Sequence, residues 1–256
     1  MKFVMKNNVF LVLLLLLTSI ALTVCSCKST IKTKNKDSVS ILFVGSSHMF
    51  VGDVPGQLKM IAKEYGVEIS YIDISRHGNR GGTLRELREN AINEIQEKIF
   101  DYVVLQDQTI RSFNDVEGLL NEISILSKAA RQNGAIPVLY NFPWAVINRQ
   151  PDVERLKITT EVFKRAAIEN DAIFVNAADA WIYAYQTIPG ISLYTRFDPR
   201  GMHANNAGAF LTACVFAGIL FDLHIKDIVK NNRYRGRDAI AIGQVAWDFV
   251  QNFKNK

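Results

Sequence analysis

The sequence predicts a three-layer α/β/α sandwich built on a central sheet of five mainly parallel strands. Three observations lead there. From residue 38 onward, short β-branched or apolar runs alternate with longer amphipathic stretches. The apolar runs are nearly continuous, as strands buried on both faces require. The stretches between them are long enough to hold a helix, so successive strands run parallel through right-handed crossovers.

In chain order, the strand read in "VSILFVGS" is followed by the helical stretch "VPGQLKMIAKEYG", and "VEISYIDIS" by "TLRELRENAINEIQEKIF". The third strand, "DYVVLQDQ", precedes "DVEGLLNEISILSKAARQNG", and the fourth, "IPVLYNF", precedes "VERLKITTEVFKRAAIEN". The fifth is read in "AIFVNAADAW". After Trp181 the pattern lapses into an irregular segment of about 25 residues, and loops of that length in compact domains are usually functional. Helices from about 206 to 223 and from about 236 to 253 finish the chain.

The 256 residues, 48% hydrophobic and 21% charged, suit one globular domain, expected over 39–256. Before it, Lys2 and Lys6 precede an uncharged, mainly apolar run from Val9 to Val24 that ends in "CSCKST", the pattern of a secretory signal over 1–27. A small residue followed by Cys at its end marks a bacterial lipoprotein signal. Cys27, preceded by Ser26, fits that pattern better than Cys25, preceded by Val24. Residues 28–38 are then a tether, and the expected location is the cell envelope, lipid-anchored on the periplasmic side or at the outer membrane. Past the signal only Cys214 remains, inside the apolar "FLTACVFAGIL", so neither an intrachain disulfide nor a Cys-based metal site is expected. Loss of Lys2 and Lys6 lowers the formal charge from +5 to +3, with part of the excess in the tether, which suits anionic lipid and not nucleic acid. No His, Asp and Glu grouping has metal spacing, and "HGNRGG" lacks the phosphate-loop and dinucleotide patterns, so no cofactor is expected.

In an open parallel sheet, ligands bind beyond the carboxyl ends of the strands. The residues there are "GSSH", "RHGNRGG", "QDQT", "NFPW" and "DAW". A serine hydroxyl needs a base to take its proton and donors for the oxyanion it creates. Among the four histidines, His224 follows an apolar helix and reads as structural, and His48 adjoins Ser47, where neighbouring side chains point apart. His203 lies in the long loop just before a helix and is the best base for Ser47.

The blocks "FVGSSHMF", "GNRGGTL", "VVLQDQT" and "HANNAGAFLTAC" together resemble the SGNH (GDSL-like) hydrolase superfamily, and within it a bacterial lipoprotein branch. The resemblance covers residues 40 to 222 and implies a flavodoxin-like SGNH hydrolase fold. It also implies Ser47 as nucleophile, His203 as base, an oxyanion amide from Gly81 or Gly82, and a side-chain donor from Gln108 or, less well placed, Gln106. The superfamily's acid stands three residues before its His, where this chain has Arg200. The nearest carboxylate is Asp198, five before, with Asp179 a more distant candidate. His48, Asn141, Trp144 and Arg200 are the expected substrate contacts. The activity implied is hydrolysis of small acyl esters, acetyl foremost, on carbohydrate. The alternatives are an O-acyltransferase or lysophospholipase on the same site, or a carbohydrate-binding protein with a degenerate one.

Overall fold

The structure, a computed structural model, describes residues 38–78, 80–144, 146–198, 201–223 and 238–254. The signal segment, the tether as far as residue 37, Cys27, His224 and Arg200 lie outside them. The elements in order are β1 (Ser38–Val44), α1 (Ser47–Phe50), α2 (Val54–Glu64), β2 (Glu68–Asp73), β3 (Arg76–His77) and β4 (Arg80–Gly81). Next come α3 (Leu84–Glu97), β5 (Tyr102–Leu105), α4 (Arg111–Asn114), α5 (Val116–Gln132) and β6 (Ile136–Tyr140). The chain continues with β7 (Val146–Ile147), β8 (Gln150–Pro151), α6 (Val153–Glu169), β9 (Ile173–Val175), α7 (Ala177–Thr187), α8 (Asn206–Phe221) and α9 (Ala239–Lys254).

Five strands form one sheet in the order β2-β1-β5-β6-β9, every neighbouring pair parallel. Alternation along the strands decides which face each residue enters. Ile41, Phe43, Val104 and Tyr140 join Leu58 of α2, Trp181 of α7, Phe216 of α8 and Ile242 of α9 in one apolar cluster. Leu42, Val44, Val103 and Leu139 join Leu87 of α3, Ile123 of α5 and Phe163 of α6 in the other. These residues are completely or almost completely buried, so both faces of the sheet are covered and the three layers are those expected.

Helix α8 is apolar on nearly every side because it lies among other helices. It approaches α7 so closely that a Cβ at Gly208 would fall 2.4 Å from the Trp181 ring, and the Trp181 indole N–H donates to Thr212 Oγ1 at 3.1 Å. The chain bends sharply where α1 meets α2, at Gly52 with φ +86°, and a Cβ there would meet Ala209 of α8 at 2.7 Å.

Two local readings need correction. The fifth strand is only three residues long, and Asn176 behind it caps a helix, its side chain accepting from the Asp179 N–H. Residues 182–187 are therefore the continuation of α7 and not the start of an irregular segment. The one-turn helices α1 and α4 and the hairpins β3-β4 and β7-β8 were not expected, since elements of two to four residues carry no periodicity to read.

Candidate active site

Strand β1 delivers the chain to Gly45, and Ser46 then turns it into α1. Ser46 is the N-cap, with φ −113° and ψ −168°, and its hydroxyl oxygen accepts from the His48 N–H. Ser47 is thus the first residue of the helix, where a backbone N–H has no intrahelical acceptor. Its side chain meets His203 across 156 residues of sequence. The imidazole Nε2 lies 2.8 Å from Ser47 Oγ, and Nδ1 lies 2.6 Å from Asp198 Oδ2. A carboxylate can only accept, so Nδ1 carries the hydrogen and Nε2 is left as acceptor for the Ser47 hydroxyl. Carboxylate, imidazole and hydroxyl form one continuous relay at the carboxyl end of β1.

The five-residue spacing from Asp198 to His203 is closed by a turn. The Gly201 N–H donates to Asp198 O at 2.8 Å, and the Met202 N–H donates to Asp198 Oδ2 at 3.1 Å. Gly201 holds φ +63°, a conformation that glycine adopts without strain. Both ends of the segment are pinned, with Thr195 N–H donating to His203 O at 2.8 Å and Tyr194 paired with Ala204 in a bridge. Tyr194 itself is fully buried and donates through its hydroxyl to Pro143 O at 2.6 Å, which ties the segment to the loop after β6. Asp198 and His203 are therefore held by backbone geometry before any substrate arrives.

The second strand's exit passes close behind Ser47. A Cβ on Gly81 would lie 2.0 Å from the Ser47 nitrogen, so no other residue fits this approach. Of the two candidate glycines, Gly82 spends its N–H on Ser75 O at 3.1 Å. Antiparallel pairs alternate between bonded and non-bonded, and Arg76 with Gly81 is the neighbouring pair, so the Gly81 N–H is the one turned out of the ladder. Gly82 is thereby corrected to a packing role against Leu87.

The glutamines divide in the same way. Val44 and Leu105 are register partners, so residues 45–47 and 106–108 leave the sheet side by side. Gln106 is fully buried, and its Oε1 accepts from the Ser46 N–H at 2.8 Å and the Ser46 hydroxyl at 3.0 Å, so its side chain is committed to the turn. Gln108 is half-buried, and its side-chain amide makes no hydrogen bond among the described residues.

Other expected contacts fare differently. Asn141 is fully buried and not exposed to substrate: its Nδ2 donates to Thr160 Oγ1 at 3.1 Å and Asn176 Oδ1 at 3.0 Å, while its Oδ1 accepts from the Ala178 N–H. Asp179 accepts from Thr160 and Asn176 in the same network, so it is not the partner of His203. His48 is 4% exposed and lies flat on Phe142 at 4.0 Å, with the His203 ring 5.1 Å away; it is a wall beside the imidazole and not an open substrate contact. Trp144 stays half-buried on the loop after β6. Phe142, unnoticed in the sequence, backs both His48 and Trp181, and its alternation with Asn141 at the strand end was the available signal. Among the described residues no group of three His, Cys, Asp or Glu could hold a metal ion.

Solved structures share this architecture. A DUF4886 family protein from Bacteroides uniformis ATCC 8492 aligns with a TM-score of 0.67 at 13% identity, over 86% of this chain and 96% of its own. A Slackia heliotrinireducens protein assigned to the SGNH hydrolases gives 0.56 at 23% identity, over 72% of this chain and 99% of its own. A family 3 carbohydrate esterase of Clostridium thermocellum gives 0.53 at 15% identity, over 72% and 96%. No family model and no curated protein matches the chain. The fold is that of the SGNH hydrolases.

Proposed function

We propose that this chain is a serine ester hydrolase that removes small acyl groups, acetyl foremost, from carbohydrate. The observation that carries the reading is the relay from Asp198 through His203 to Ser47, with both contacts already at hydrogen-bond length. As Ser47 Oγ attacks the acyl carbonyl, His203 Nε2 takes its proton, and Asp198 holds the tautomer and stabilises the imidazolium. The carbonyl oxygen, now negative, is received by the Ser47 and Gly81 N–H groups and the Gln108 side-chain amide. Collapse expels the alcohol, which takes the proton back from His203. Water, deprotonated by the same nitrogen, then attacks the acyl-serine ester and releases the acid.

Support for the substrate is of a coarser kind. Neighbours in fold include the carbohydrate esterase above and an acetyl xylan esterase, and fold alone does not give substrate. The test is initial rates of the full chain in detergent on nitrophenyl acetate, butyrate and octanoate, and acetate release from acetylated xylan. The reading expects the acetyl ester to be fastest and acetate to appear from the polysaccharide. Fast cleavage of nitrophenyl acetate with no acetate from xylan would leave an esterase of another substrate class, and octanoate as best substrate would favour a lysophospholipase.

Residues 1–27 act as an export signal in this reading, and Cys27 becomes the lipidated N-terminus that holds the enzyme at the envelope. The support is the Lys2, Lys6 and apolar-run pattern that ends at Ser26-Cys27. Mass spectrometry of the mature N-terminus decides it: Cys27 as first residue with a diacylglyceryl group on its sulfur is expected, and an intact Met1 or a cut elsewhere contradicts it.

A further inference from the structure

We propose that Asp107, acting with Gln106, is a positioning residue that sets the spacing of the oxyanion donors; the proposal rests on the ester-hydrolase reading. The donors named above come from three separate segments, after β1, at the end of β4 and after β5. Such donors work when they sit about 2.7–3.1 Å from the place where the oxyanion forms, so the distances among the segments must be held. Residues 106 and 107 tie the first of these to the third. Gln106 binds the first through the Ser46 N–H and hydroxyl, and its own amide donates to Asp107 O. Gly45 leaves it room, for a Cβ there would lie 2.9 Å from Gln106 Oε1.

The Asp107 carboxylate, 1% exposed, holds the third. Its Oδ1 accepts from the Gln108 N–H at 2.7 Å. Arg111 fixes it from behind, donating to Asp107 Oδ2 at 2.6 Å and to Asp115 Oδ2 at 3.1 and 2.6 Å. Stability alone does not account for such a pair, since well-packed apolar residues of similar volume commonly serve the fold as well as a buried ion pair or better. What an apolar pair could not do is accept from the Gln108 N–H and fix the backbone that carries the Gln108 amide, while Gln106 ties that backbone to the turn at Ser46. Burial works to raise the Asp107 carboxyl, and Arg111 with the Gln108 N–H works against it.

The test uses the full chain, with nitrophenyl acetate as substrate and phenylboronic acid as a tetrahedral adduct of the serine. Asp107→Asn keeps the volume and weakens the clamp; Arg111→Lys is the milder second variant should the first fold poorly. The expected result is a kcat lowered roughly tenfold or more in Asp107→Asn, with KM within about twofold and the boronate inhibition constant raised by the same factor as kcat falls. Arg111→Lys shows the same coupled change at smaller size. A kcat loss without a boronate change, or one that matches the loss of folded protein in a thermal melt, overturns the positioning role. Unchanged kcat in Asp107→Asn beside an inactive Ser47→Ala removes the clamp and leaves the hydrolase standing. A wild type that neither hydrolyses the ester nor binds the boronate removes both.

Discussion

Asp198 and Asp179 are two carboxylates on the same rim, and their surroundings assign them different work. Asp198 faces His203 at 2.6 Å, and Asp179 closes the cap of α7. Asp198→Asn is expected to lower kcat by about four orders of magnitude, because the amide can no longer enforce the tautomer that leaves Nε2 free. Asp179→Asn should cost about 1 kcal/mol of stability and leave kcat near wild type. Steady-state kinetics beside thermal melts separates the two. At Gly81 the expected effect is steric. Gly81→Ala places a Cβ against the Ser47 backbone and should abolish activity, whereas Gly82→Ala meets only the Leu87 side chain, which can shift, and should keep a measurable part. That Ser47 and His203 come together was legible through the four blocks of the resemblance, whereas Asp198 stands five residues before His203 and not three, and the bonds from Gly201 and Met202 are what bring it back to the imidazole. Direction was not legible. Gln108 was preferred to Gln106 from its place in the block, but Gly81 and Gly82 differ only in which way one residue of backbone turns them, and the two look alike in the sequence.

At the scale of elements, the loop after β6 and helix α7 are joined by Asn141, whose three hydrogen bonds are buried. Asn141→Ala leaves those partners without it and is expected to cost about 2–3 kcal/mol, with KM unchanged; a raised KM at constant stability would return Asn141 to the substrate site. Helix α3 offers a pH test. Glu86 completes a capping box with Thr83 and pairs with Arg80, and the Arg80 hydrogen bond is the main reason its carboxyl is held down at about 2. A depressed carboxyl stabilises the fold above its unfolded value and loses that contribution as pH falls through its folded one. Glu86→Gln should therefore be about 1 kcal/mol less stable than wild type at pH 6, a figure kept small by exposure, and the gap should close as unfolding is followed from about pH 5 down to 2. Helix α7 was missed after Trp181 because its aromatic and β-branched residues give a weak period. The signal present was Asn176 followed three residues later by Asp179, a cap with its reciprocal acid.

For the whole molecule, the inner strands were legible because strands buried on both faces must be apolar without interruption, as Ile41–Val44 and Tyr102–Leu105 are, whereas the edge strand β2, mostly exposed, was read from its alternation. The same sheet explains why a relay can form between residues so far apart in sequence. The end of β1 presents Ser47, and the segment pinned between Tyr194 and Ala204 carries Asp198 and His203 to it. The central claim is that this relay makes one serine nucleophilic. Reaction of the full chain with diethyl nitrophenyl phosphate, followed by peptide mass spectrometry, measures that directly. The account predicts a single diethylphosphoryl adduct on Ser47, formed far more slowly in Asp198→Asn and absent in His203→Ala. An adduct on Ser46 or on a residue elsewhere, or equal labelling of Ser47 without His203, would contradict it.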